Sequence, residues 1–136
     1  MTNLLLVDTN ILVDVLEDDP KWAEWSLQQL RNQSKVNKII INPIIYTELS
    51  VIFSSIELLD DILNKLNLEI FELPKEALFL AGKAFVKYRK KSGAKSNVLS
   101  DFFIGAHVAV LTCLLLTRDR NRYQTYFPTV KLITPT

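Results

Sequence analysis

With 136 residues, 49% hydrophobic and 23% charged, the chain carries enough apolar material for a real core, which excludes a disordered polymer and fits a single domain over residues 1–136. A formal net charge of +1 excludes a protein that holds nucleic acid through overall basicity, while leaving room for a local basic patch. The one cysteine, Cys113, permits no disulfide within the chain, and no apolar run reaches the roughly 20 residues that cross a bilayer, so a soluble protein of a reducing cytoplasm is expected.

The chain opens on Leu4-Leu5-Leu6-Val7, a continuous apolar run of the kind found in strands covered on both faces, and the run stops at Asp8. That aspartate also breaks the apolar stretch a signal peptide would need. Ile11, Leu12, Val15 and Leu16 then recur at helical spacing. Asp19-Pro20 reads as the start of a second helix containing Trp22, Trp25 and Leu30, closed by Asn32-Gln33-Ser34. Ile39-Ile40-Ile41 is a short strand, and Asn42-Pro43 a helix start with a capping side chain followed by proline, opening a helix over 43–53. A helix over 57–66, a strand over 68–73 and a long amphipathic helix over 74–91 follow. Ser92-Gly93-Ala94-Lys95-Ser96-Asn97 reads as a loop. Ser100-Asp101 opens a helix to about residue 111, and Leu114-Leu115-Leu116 is a second strand that runs out into an acid, Asp119. A short helix over 120–126 and a strand over 130–133 end the chain. Strands alternating with helices predict a three-layer α/β/α sandwich on a mostly parallel sheet.

In open sheets of this kind ligands bind beyond the carboxyl ends of the strands, so Asp8 and Asp119 can share one rim. Converging carboxylates repel unless a cation lies between them, which points to a divalent metal site. Glu48 adds to the pattern, with Ile44 and Ile52 one turn away on either side, because a carboxylate in an apolar stripe needs a partner. Asp101 stands in the first turn of its helix, with Gly105 and Ala109 further along the same stripe. Taken alone, each acid also reads as a strand-end, turn or helix-start residue; four on separate elements around one sheet are harder to explain that way. His107 reads as a core or rim histidine. Trp22 and Trp25 lie at core spacing or form an interface.

The segments Val7-Asp8-Thr9-Asn10-Ile11-Leu12, Tyr46-Thr47-Glu48-Leu49, Ser100-Asp101-Phe102-Phe103-Ile104-Gly105-Ala106-His107-Val108-Ala109 and Leu116-Thr117-Arg118-Asp119, with Tyr123 and Phe127, resemble in order and spacing the PIN-domain ribonucleases, and among them the VapC toxins of toxin–antitoxin modules. The resemblance spans nearly the whole chain. It implies an endoribonuclease in which Asp8, Glu48, Asp101 and Asp119 bind Mg²⁺ or Mn²⁺, one ion or two, with Thr9, Asn10 and Thr117 orienting them. Asp8 and Asp101 are the expected direct ligands, Asp119 completes the site, and Glu48 binds metal or acts through water as a general base. A cognate antitoxin, expected to lay a helix or tail over the acidic pocket, and a homodimer are implied in the same way.

Where some members carry a further acid or polar residue three positions after the match of Asp119, this chain has Arg122. Arg118, Arg120 and Arg122 are therefore candidate contacts to substrate phosphate, and Lys83, Lys87, Arg89, Lys90, Lys91 and Lys95 form a basic segment or a solvated face. Two other readings stand beside the nuclease. A phosphatase of the haloacid-dehalogenase type also begins with a strand ending in aspartate, but carries a second aspartate where this chain has Asn10; the remaining possibility is a catalytically silent RNA-binding or interaction module.

Overall fold

The computed structural model describes residues 3–91 and 98–135. The loop expected at 92–97, with Lys95, lies outside the described residues. The chain runs β1 (Asn3–Val7), α1 (Thr9–Leu16), α2 (Ala23–Ser34), β2 (Asn37–Ile41), α3 (Pro43–Ser50), α4 (Ile56–Lys65), β3 (Glu69–Ile70), α5 (Lys75–Lys91), α6 (Leu99–Leu111), β4 (Leu114–Leu116), α7 (Asn121–Tyr126) and β5 (Lys131–Ile133). The five strands lie in the order β3-β2-β1-β4-β5, and every pairing is parallel. The expected three-layer α/β/α sandwich is the observed architecture, with the sheet parallel throughout.

The central strands are apolar because helices cover both faces. Leu5, Leu6, Val7, Ile40, Ile41, Leu115 and Leu116 are completely buried. From β1 the chain winds outward through β2 to β3, then crosses to the other side of β1 to lay down β4. The strand order therefore reverses between β1 and β4, and the two helical connections diverge there, opening a crevice at the carboxyl edge. The register pairs Val7 with Leu116, so the residues that follow each strand leave the sheet together.

Three element boundaries differ from the sequence reading by three residues, the others by less. The second helix begins at Ala23, because the Asp19 carboxylate accepts the backbone N–H groups of Lys21 and Trp22 and holds a turn there instead. The third ends at Ser50 rather than residue 53. The strand expected over 68–73 is only Glu69–Ile70, an exposed edge strand; one further bond, from Phe71 N–H to the Ile41 carbonyl, ends its pairing before Pro74, which has no N–H to give.

Two devices set the helices that border the crevice. Asn42 caps α3 by accepting the Ile45 N–H at 2.9 Å, as the Asn-Pro pair predicts, and its amide lies 3.1 Å from His107 Nδ1 on α6. Both residues are fully buried. Since the Asn42 oxygen is taken by the cap, its NH₂ donates and His107 Nδ1 accepts, which makes the ring neutral with its proton on Nε2; burial accordingly lowers the histidine pKa. His107 is thus the core histidine the sequence suggests. On α6, Gly105 leaves room for Phe127, since a Cβ there would lie 2.4 Å from the ring. Phe102 packs edge-on or tilted against Phe85, Tyr88, Tyr126 and Phe127, tying α5, α6 and α7 together.

Candidate active site

Asp8 is the residue after β1 and the cap of α1, so the strand aims its carboxylate into the crevice while the helix N-terminus fixes it. Oδ1 accepts the Thr9 N–H at 2.8 Å. Oδ2 accepts the Thr117 hydroxyl at 2.8 Å, the Tyr123 hydroxyl at 3.0 Å and, more distantly, the Asn10 amide at 3.4 Å. All four donors are neutral. The carboxylate is buried without a cation among these partners, and burial pushes its pKa up to about 7, with the hydrogen bonds pulling against that rise and the Asp101 charge adding to it. Tyr123 is itself fully buried; desolvation and the Asp8 charge raise its pKa well above the ordinary phenol value, so it remains a donor throughout the physiological range.

The polar neighbours Thr9, Asn10 and Thr117 converge on the acids. The Thr9 hydroxyl donates to Glu48 Oε1 at 2.5 Å, and the Ser100 hydroxyl donates to Oε2 at 3.2 Å, so the glutamate in the apolar stripe of α3 finds hydroxyl partners on α1 and α6. Thr117, besides donating to Asp8, accepts the Asp119 N–H at 3.0 Å and the Asn10 amide at 3.3 Å, while the Asn10 carbonyl accepts the Arg118 N–H. One hydroxyl and one amide thereby lock the loop after β4 onto the end of β1.

Asp101, in the first turn of α6, pairs with Arg122 of α7 at 2.6 Å. Burial raises its pKa in spite of that arginine, and the charges of Asp119 and Glu48 add to the rise. Asp119 stands at the mouth of the crevice, half exposed, 4.0 Å from the same Arg122 nitrogen. The four acids therefore surround one crevice, but among the described residues no three of them are drawn together tightly enough to cage an ion. Their donor set nonetheless fits a hard divalent cation such as Mg²⁺ or Mn²⁺: every candidate ligand is a carboxylate oxygen, and beyond burial the Asp101 charge raises the cost of ionising Asp8, as those of Asp119 and Glu48 do for Asp101. Mg²⁺ keeps several waters and takes only one or two carboxylates directly, so a tight cage of four is not required.

The three arginines separate sharply. Arg118 turns away from the crevice and forms a two-pronged pair with Asp14 of α1, at 2.7 and 2.9 Å, beneath the ring of Trp22. Arg120 reaches Thr134 on the outer surface. Only Arg122 meets the acids. Asp14 and Ser26 are polar residues around this region that sequence reasoning passed over, and Tyr123, named there only among the residues of the resemblance, was given no role. Asp14 had a signal: it stands three residues after Ile11, within the buried stripe of α1. The basic side chains Lys83, Lys87, Arg89, Lys90 and Lys91 are all exposed along α5. Cys113 is half-buried and its thiol is pushed up to about 11 by burial, which leaves it unreactive.

An all-parallel five-stranded sheet whose switch-point crevice is ringed by Asp8, Glu48, Asp101 and Asp119 defines an oxygen-donor site on an α/β sandwich. A family model described as "PIN domain" matches residues 5–128, and the chain belongs to that family. The match removes the haloacid-dehalogenase alternative. No protein of curated function matches the sequence. Among solved structures, the fold is similar to a chain of VapBC2 from Rickettsia felis bound to a DNA fragment from its promoter, with a TM-score of 0.74 and 21% identity over 98% of this chain and 99% of that one. It is also similar to a chain of VapBC-1 from nontypeable Haemophilus influenzae (TM-score 0.72, 17% identity, 96% and 97% covered). A toxin–antitoxin complex from Klebsiella pneumoniae matches with a TM-score of 0.67 and 20% identity over 97% of this chain and 98% of that chain.

Proposed function

We propose that this PIN domain is a divalent-metal-dependent endoribonuclease, acting as the toxin of a toxin–antitoxin pair. The observation that carries the reading is the desolvated acid Asp8 facing Asp101 across the switch-point crevice: folding buries a carboxylate with only neutral partners, an arrangement that costs stability unless a cation is bound. Asp8 and Asp101 are the direct ligands of Mg²⁺ or Mn²⁺, and Asp119 completes the site from the mouth. Glu48, oriented by Thr9 and Ser100, holds the ion or a water next to it. When bound, the ion supplies charge neutralisation at the phosphate and an acidified water.

The protein's own part is positioning. Thr117 and Tyr123 fix Asp8, Asn10 and Thr117 fix the loop bearing Asp119, and the Asn42–His107 contact fixes the helices bearing Glu48 and Asp101. The toxin role draws on the family and on neighbours that include a toxin–antitoxin complex. The partner is then an antitoxin that covers the crevice with a basic side chain among the carboxylates. Homodimerisation and a cytoplasmic setting belong to the same reading; no helix among the described residues is long and apolar enough to cross a membrane.

The test is cleavage of a structured RNA pool by purified protein with Mg²⁺, with Mn²⁺ and with chelator, beside an Asp8→Asn/Asp101→Asn variant checked for folding by circular dichroism. Metal-dependent cutting that vanishes in the folded variant is the expected result. Cutting that persists in chelator, or no cutting together with no metal binding, would overturn the reading and leave a silent RNA-binding or interaction module.

A further inference from the structure

We propose that Arg122 takes the place of a second metal ion, so that the site holds one divalent cation per chain beside a fixed guanidinium. This rests on the metal-dependent reading above.

The position of Arg122 is the first ground. Its Nη1 lies 2.6 Å from Asp101 Oδ2 and 4.0 Å from Asp119 Oδ2, so one nitrogen faces two of the four acids. A second cation held by Asp101 and Asp119 would compete with that nitrogen for the same two carboxylate oxygens. Both Arg122 and Asp101 have side chains only 24% exposed, which limits screening of the pair by solvent.

The second ground is that the guanidinium is held there by more than its charge. Its Cζ lies 5.7 Å from the centre of the Tyr88 ring, and Tyr88 is wedged among Phe85, Phe102 and Tyr126. The next residue on α7, Tyr123, is anchored by its hydroxyl to Asp8. Consecutive side chains of one short helix thus reach the two acids on either side of the crevice, one with a neutral donor and one with a charge. A guanidinium cannot lose its proton in a protein, so that charge persists at any working pH.

The third ground is the asymmetry this creates. Asp8 is contacted by Thr9, Asn10, Thr117 and Tyr123, none of them charged, whereas Asp101 and Asp119 share a cation supplied by the chain. Asp8 and Asp101 would hold the ion on the uncompensated side, whereas the Arg122 charge would oppose a second ion between Asp101 and Asp119.

The experiment is Mn²⁺ stoichiometry on the full chain, by equilibrium dialysis with metal analysis, for wild type, Arg122→Lys and Arg122→Ala, each checked for folding. RNA cleavage is measured in parallel on the wild type. The expected result is one ion in wild type and Arg122→Lys, where the charge is kept, and two in Arg122→Ala. Arg122→Gln, which keeps a long stem without charge, is the second neutral variant and is expected to bind two as well. Two ions in wild type, or one ion in the folded neutral variants, overturns the inference while leaving the nuclease intact if RNA is still cut. No ion in wild type overturns both.

Discussion

Two aspartate–arginine pairs join the segment after β4 to the helices around it, and they are built differently. Asp14 and Arg118 meet through two parallel hydrogen bonds; Asp14 is almost fully buried, it also accepts the Ser26 hydroxyl, and Trp22 covers the guanidinium. Asp101 and Arg122 meet through a single contact, in a crevice where Asp119 competes for the same nitrogen and where burial keeps the Asp101 pKa raised despite the arginine. In the first pair the carboxylate is nearly buried and both its oxygens are taken by Arg118 and Ser26. The second has carboxylate oxygens to spare and charges that do not balance. The lesson is that a satisfied ion pair serves the scaffold, whereas an under-compensated one marks the place where chemistry is expected.

That contrast can be broken most severely by exchanging which pair is removed. Asp101→Asn is expected to abolish metal-dependent RNA cleavage, a loss of about 1,000-fold or more if the carboxylate supplies several kcal/mol to the bound ion, while leaving the denaturant midpoint unchanged or slightly raised. Asp14→Ala is expected to do the reverse to the fold. It leaves Arg118 half-buried without its partner and should cost on the order of 3–5 kcal/mol in urea unfolding. Equal stability losses in the two variants would erase the distinction.

A smaller effect sharpens the contrast through pH. Asp8 titrates near 7 in the native chain against 3.8 for the free side chain, so the native state holds a proton that the unfolded state has already released. Metal-free stability should therefore be highest below about pH 4 as far as this group is concerned, and fall by a few kcal/mol as pH rises through 7. Mg²⁺ should oppose that fall, and Asp8→Asn should reduce the slope, leaving the part that the raised Asp101 contributes; a metal-free stability that rises between pH 5 and 7 would contradict the assignment. Smaller again is the packing that seats α6. Gly105→Ala puts a methyl 2.4 Å from the buried Phe127 ring and is expected to cost about 1–3 kcal/mol in thermal or urea unfolding. No measurable loss would mean that Phe127 shifts freely.

The two pairs also differ in how far the sequence reveals them. Asp8, Glu48, Asp101 and Asp119 were legible because each interrupts an apolar strand or helix stripe, and a parallel sheet has only one edge at which such interruptions collect. Thr9, Asn10 and Thr117 were legible as neighbours of those acids, and the structure gives each a specific bond. The Asp14–Arg118 pair was not, since its partners are 104 positions apart and nothing local tells Arg118 from Arg122. Only the path of the loop after β4, pinned by Asn10 and Thr117, turns one arginine toward α1 and the other into the crevice. The short β3 was overread for a related reason: the apolar and acidic alternation of 68–73 suits a strand, but pairing at a sheet edge ends where the neighbouring strand ends, at Ile41.

The measurement that tests the central claim most directly is the unfolding temperature in a Mn²⁺ titration of wild type, Asp101→Asn and Asp14→Asn. If the crevice is a metal site and the Asp14 pair is scaffold, Mn²⁺ raises the midpoint of wild type, leaves Asp101→Asn unmoved, and raises that of the destabilised Asp14→Asn by as much as wild type. An equal Mn²⁺ shift in wild type and Asp101→Asn, or none in either, would contradict it.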